Sequence, residues 1–172
     1  MRWVTGQRVW GSRMLGGWMI KRFVDPEAEF VYVPNDTDPA TVKDGTPWHI
    51  GSNAELSTHD GHAAWYWISK KYKLAEKDPA IAKMEAMFPL TRLAYVAMNE
   101  ENAVIDDAVP PGAPLEAAGL ATVLYGVTVS TKDPGEAMRL SGVIFDATYE
   151  ALKAQLGRPR QTIDHSKHLV GG

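Results

Sequence analysis

The chain contains no cysteine. That absence excludes disulfides, thiolate metal sites, iron–sulfur clusters and cysteine nucleophiles together. Charge of one sign is also scarce, because 18 Lys and Arg stand against 21 Asp and Glu for a net charge of −3. A surface built for nucleic acid needs a basic excess. Here the basic residues are scattered, so neither DNA nor RNA is expected as a partner of this chain. No apolar run approaches the ~18–20 residues of a membrane-spanning helix, and no membrane is expected either. The first residues, Met1-Arg-Trp-Val-Thr5, run straight into a strand-like stretch without a signal peptide's apolar centre, which makes the cytoplasm the expected location. Several chemistries are missing as motifs: no Gly-x-Gly-x-x-Gly after a strand, no phosphate-loop lysine, no Gly-x-Ser-x-Gly and no His-Glu-x-x-His.

What is present is an ordinary globular composition, with 172 residues of which 45% are hydrophobic and 23% charged. That length buries a core without staples and suits one domain. The patterning predicts a mainly α protein with a small N-terminal β-sheet, an α+β fold, as one compact domain over 1–157 with a polar tail over 158–172. Trp3-Val-Thr5 and Phe30-Val-Tyr-Val33 are β-branched and aromatic and read as strands, and Trp48-His-Ile50 as another short one. Ser12 is a suitable N-cap for a helix over Arg13 to Val24, in which Leu15, Trp18, Met19 and Phe23 keep helical spacing. Gly16-Gly17 inside it either weakens the helix or lets something approach its backbone. Asp78-Pro79 opens a helix expected to kink or break at Pro89 and to resume over Thr91 to Glu101. Leu115 to Val129 reads as a buried helix with Gly119 and Gly126 as close-packing points. Pro134 to Gly157 is the last long helix.

The chemistry-bearing residues concentrate in Glu55-Leu-Ser-Thr-His59-Asp-Gly-His62-Ala-Ala-Trp65-Tyr66-Trp67. Ser57-Thr-His59-Asp60 has the form of a capping box, predicting that a helix starts here and runs to Tyr72. On such a helix His59 and His62 share a face, with Tyr66 one turn on, and the helix N-terminus favours neutral imidazole. Two histidines still need a third ligand. The alternative reading is an N-cap region with two surface histidines beside an aromatic patch. Trp18, Trp65 and Trp67 either wall an apolar pocket or pack in the core. His165 and His168 fall in the polar tail.

Arg13-Met-Leu-Gly-Gly-Trp18-Met-Ile-Lys-Arg22-Phe-Val-Asp25-Pro and Phe30-Val-Tyr-Val-Pro34 resemble the opening motif and the Tyr-Val-Pro strand of one family, the C-terminal domain of chromate-resistance regulator proteins. Glu55-Leu-Ser-Thr-His59-Asp-Gly resembles its second motif, Pro114-Leu-Glu116-Ala-Ala-Gly119-Leu its late-helix motif, and Phe145-Asp146-Ala-Thr-Tyr149 its last-helix segment. The matches keep the family's order over about residues 3–152. The resemblance implies a mostly helical domain tied to chromate handling, often fused behind a DNA-binding module and thought to sense metal or oxyanion. Three departures stand out. The family's cysteine position is Gly16, these 172 residues are expected to hold no DNA-binding module, and His62 stands where the family has an acidic residue. The family's acidic pair near the end of a central helix would fall at Asn99 to Glu101 or at Asp106-Asp107.

The functional expectation is a metal-dependent enzyme (a lyase, hydrolase or oxidoreductase) acting on a small anionic molecule. His59, His62 and Glu101 would hold a divalent ion, with zinc, manganese and iron all compatible with such ligands. Arg13 and Arg22 would bind the anion, beside Trp18. Tyr66 and Glu55 are the candidates for proton transfer. The alternative is a non-catalytic metal or oxyanion sensor or binding module. The aromatic content leaves room for a homodimer.

Overall fold

The computed structural model describes residues 1–100, 103–104 and 108–158. Strand β1 (Arg2–Gly6) lies between β2 (Glu29–Val33) and β3 (Thr46–Pro47), and both pairings are parallel. The register sets Trp3 against Phe30 and Thr46, and Val4 against Val31 and Pro47. As the middle strand of a parallel sheet, β1 is covered on both faces, so Trp3, Val4 and Thr5 are all buried. Pro47 cannot donate to a ladder, which suits the short edge strand. Parallel neighbours need a crossover. Helix α1 (Gly11–Met19) supplies it between β1 and β2.

Helix α1 is the centre of the molecule. Every residue of it except Arg13 is buried, because α2 (Ala64–Tyr72) packs on one side and α6 (Pro134–Leu156) on another. A helix apolar nearly all round has to be enclosed in this way. It begins two residues earlier than the sequence predicts, with Trp10 at the cap position, and Ser12 is buried inside it. After Met19 it widens into a π-helical turn, Ile20–Val24, closed by the Asp25 amide donating to the Ile20 carbonyl at 2.8 Å. The glycine pair admits neighbours, as expected: a Cβ at Gly16 would lie 2.8 Å from the Trp48 ring.

Short α3 (Leu74–Lys77) leads into α4 (Pro79–Glu100), whose first turn is capped by Asp78 accepting from the Ala80 amide at 2.8 Å. The predicted break at Pro89 does not occur. Proline there costs about 3 kcal/mol through a lost hydrogen bond and a steric clash. Phe88, Thr91, Ala94 and Tyr95 are buried on either side of it, and packing against α1, α5 (Leu115–Ser130) and α6 holds the helix together. Helix α5 buries only one face, through Ala117, Leu120, Ala121, Leu124 and Val127. Leu115, Val123 and Val129 are exposed, and Gly119 and Gly126 have nothing within 4 Å of an added Cβ. The expectation of a wholly buried helix with close-packed glycines is therefore corrected: uniform apolarity does not say how many faces find a neighbour. Asp133 caps α6 by accepting from the Glu136 amide at 2.6 Å, and Met138, Phe145 and Leu152 point into the core. The result is one compact α+β domain. Among the described residues no helix is long and apolar enough to cross a membrane.

Candidate functional site

In parallel sheets, ligands bind beyond the carboxyl ends of the strands. A cleft of about 690 Å³ opens there. Arg8 follows β1, Asn35 follows β2 and His49 follows β3. The start of α1 forms the floor, and Trp65 and Tyr66 from α2 with Pro89, Arg92, Tyr95 and Val96 from α4 form the far wall.

Arg13 is the best-anchored of these groups. Its Nε donates to Thr5 Oγ1 at 3.1 Å, its Nη2 to the His49 carbonyl at 2.7 Å, and its Nη1 to the Arg8 carbonyl. Gly6 makes room for it, because a Cβ there would come within 2.5 Å of Nη2. Burial, and then repulsion from Arg8, lowers its pKa to about 10, so it stays charged at neutral pH. Among the described residues it has no carboxylate partner, and neither has Arg92. Among the described residues Glu100 is the one acidic side chain in the lining, 3.9 Å from Arg8. The described lining thus carries three guanidinium groups against one carboxylate.

His49 turns the chain out of the sheet in a left-handed conformation, φ 49°. That kink ends the extended run, so Trp48 makes only a single bridge to Leu56 and the strand expected over Trp48–Ile50 is instead Thr46–Pro47. Burial, followed by the charges of Arg13 and Arg92, lowers the His49 pKa to about 3 and keeps the ring neutral. Its Nδ1 is buried without a hydrogen-bond partner among the described residues, as is Nε1 of Trp65, which also lines the cleft. Unpaired buried polar atoms of this kind mark places where a ligand group or a water is expected.

The histidine pair is arranged differently from the sequence prediction. His59 and His62 do not lie on a helix, which starts only at Ala64. Asp60 (φ 49°) and Gly61 (φ 75°) form a tight two-residue turn. The His59 amide donates to the His62 carbonyl at 3.1 Å, and the reverse bond is 2.9 Å. Asp-Gly is a strong signal for such a turn, and it overrides the capping-box pattern. Ser57 caps nothing and bonds back to the Ile50 and Gly51 carbonyls. The His59 ring stacks on Trp67 at 4.2 Å and the His62 ring on Tyr66 at 3.9 Å. Both His59 nitrogens are engaged, Nδ1 with Asp60 at 3.0 Å and Nε2 with the Glu55 carbonyl at 3.1 Å. The Asp60 hydrogen bond raises the His59 pKa, opposite in direction to the effect of a helix N-terminus.

The family model of the ChrB C-terminal domain matches residues 3–152. The chain belongs to this family. No curated protein and no solved structure matches it. The ChrB C-terminal match spans every element that lines the cleft. At the family's cysteine position, Gly16 gives its space to the Trp48 ring.

The remaining site candidates separate. Arg13, His62 and Tyr66 share the cleft. Glu55 is outside it, paired with Lys71 at 2.7 Å. Trp18 and Arg22 line a second cavity, of about 550 Å³, between α1, β2 and α6. There Trp18 Nε1 donates to Asp146 at 2.7 Å, and the Arg22 guanidinium is neutralised by Asp146 and Glu150. An anion at Arg13 therefore cannot also reach Arg22. Glu101, Asp106, Asp107, His165 and His168 lie outside the described residues. Among the described residues no group of three or more His, Asp or Glu comes together as a metal site. With both its nitrogens occupied, His59 does not fit a ligand role in this arrangement. Sequence reasoning missed Arg92, His49 and Tyr95. Arg92 and Tyr95 are three residues apart on α4, which is the one signal that tied them together.

Proposed function

We propose that this chain is an oxyanion-binding module of the ChrB C-terminal type, linked to chromate handling, that holds its anion between Arg13, Arg92 and the start of α1. The observation that carries this reading is Arg13, a half-buried guanidinium fixed by three hydrogen bonds to neutral acceptors with no carboxylate partner among the described residues. A charge taken out of water without a counter-ion is costly, and an arriving anion relieves that cost. Guanidinium forks match oxyanions in shape and charge. Helix α1 adds the electropositive end of its dipole.

Thermal unfolding with sulfate, phosphate or chromate, compared with chloride at equal ionic strength, tests this. An anion at about 100 times its Kd stabilises the fold by about 2.7 kcal/mol. Arg92→Gln should weaken binding by about tenfold or more, the worth of one charged hydrogen bond. If no oxyanion raises the melting temperature above the chloride control, the reading fails.

Metal-dependent catalysis is the second reading. It draws support from the single turn that brings His59 and His62 together with their rings beside Trp67. A divalent ion would have to displace Asp60 or the Glu55 carbonyl from His59. Elemental analysis of the parent beside His59→Ala and His62→Ala tests it: near-stoichiometric metal, lost in both variants, is the expected result.

A further inference from the structure

We infer that the cleft also takes an organic anion, one whose charged head uses the oxyanion site and whose ring-sized apolar body fills the rest of the cleft. The inference rests on the anion-binding reading and adds the ligand class. Its first support is size. A five-atom oxyanion displaces roughly two or three waters, about 60–90 Å³ at about 30 Å³ per water. The cleft is about 690 Å³, several times larger, and falls within the range of sites for organic ligands and cofactors. A bare tetrahedral ion seated against Arg13 would leave most of that volume to water.

The second support is what else lines the cleft. Beside the guanidinium groups, Tyr66, Tyr95, Trp10, Pro89 and Val96 contribute apolar, largely aromatic surface, with the Arg8 guanidinium lying over the Trp10 ring at 3.1 Å. These rings are held in place. Tyr66 stacks on His62, Trp10 meets Tyr95 edge to face at 6.2 Å, and the Tyr95 hydroxyl is tied to Thr128. Fixed aromatic faces beside an anion-binding end suit a ligand with a charged head and a flat apolar body. Phosphate and carboxylate heads share the same guanidinium chemistry, and the two probe pairs below separate them.

Calorimetric titration of the whole chain should compare phenyl phosphate with inorganic phosphate, and benzoate with acetate. The expected result is that at least one aryl anion binds about tenfold or more tightly than its small counterpart. Tyr66→Leu should then erase about three- to tenfold of that preference, read as the ratio of phenyl phosphate to inorganic phosphate affinity. A variant-free readout accompanies it: the aryl probe, and not the inorganic ion, should shift the proton signals of the His62 ring through its ring current. Equal affinity within each pair, with no ring-current shift, overturns the inference and leaves the anion-binding reading standing. Failure of all four probes to bind overturns both.

Discussion

Mild acid should destabilise the fold through His49. In the unfolded chain His49 takes up a proton near its ordinary pKa of about 6.5, but in the fold burial and the charges of Arg13 and Arg92 lower that value to about 3. As pH falls between these values the unfolded state binds a proton that the folded state refuses, so stability drops with pH. Each pH unit is worth about 1.36 kcal/mol, giving a ceiling of about 2 kcal/mol between pH 7 and pH 5. The residue as a whole is half-buried, which trims the expectation to about 1–2 kcal/mol. At 172 residues this corresponds to a fall in melting temperature of roughly 2–8 °C. The control is His49→Asn, which does not titrate and tolerates the left-handed backbone. The assay is thermal unfolding of parent and variant at both pH values, above the range where most carboxylates titrate. If the two lose the same stability, burial does not hold His49 neutral. A bound anion should flatten the parent's slope, because it offsets the two arginines that oppose the imidazolium.

Three other outcomes follow from the packing. Gly16→Ala should lower stability by about 1–2 kcal/mol, since the new methyl meets Trp48 at 2.8 Å and Ile68 at 3.2 Å and only part of the cost is offset by helix propensity; an unchanged urea midpoint would count against it. Tyr149→Phe removes a hydrogen bond from the Tyr149 hydroxyl to the Asp78 carboxylate, which joins α6 to the cap of α4. It should cost about 1–2 kcal/mol in urea unfolding, and a loss below about 0.5 kcal/mol would show that water replaces the bond freely. Asp60→Asn should bring the His59 pKa, read by proton NMR, back down toward its ordinary value. The sign is opposite to that of His49: the His59–Asp60 pair stabilises the fold at low pH, and that contribution is lost as pH rises through the raised folded pKa.

By itself the sequence determined the elements whose signals are local. Trp3 to Thr5 and Phe30 to Val33 form strands because β-branched and aromatic runs between turn residues suit nothing else. Asp78-Pro79 and Asp133-Pro134 start helices because a carboxylate cap followed by proline satisfies the first turn without outside help. The order of motifs from Arg13 to Tyr149 pointed to the ChrB C-terminal family for the same reason, since it can be read residue by residue. The tertiary structure decided what depends on neighbours distant in the chain. Whether Pro89 breaks its helix depended on what packs on either side of it, and whether α5 is buried on one face or all round depended on the helices beside it. Arg13 and Arg22 looked equivalent on one predicted helix. The fold sends Arg13 into the cleft and gives Arg22 to Asp146 and Glu150 of α6. His59 and His62 were legible as a pair, but the turn at Asp60-Gly61 and the ring partners Trp67 and Tyr66 fixed what they face. The cleft itself was not legible, because Arg8, His49 and Arg92 come from separate segments and meet only where the carboxyl ends of the strands face α4. Local chemistry sets which backbone forms; contact across the chain sets which charges meet, and among the described residues it leaves Arg13 and Arg92 in the cleft without a carboxylate partner.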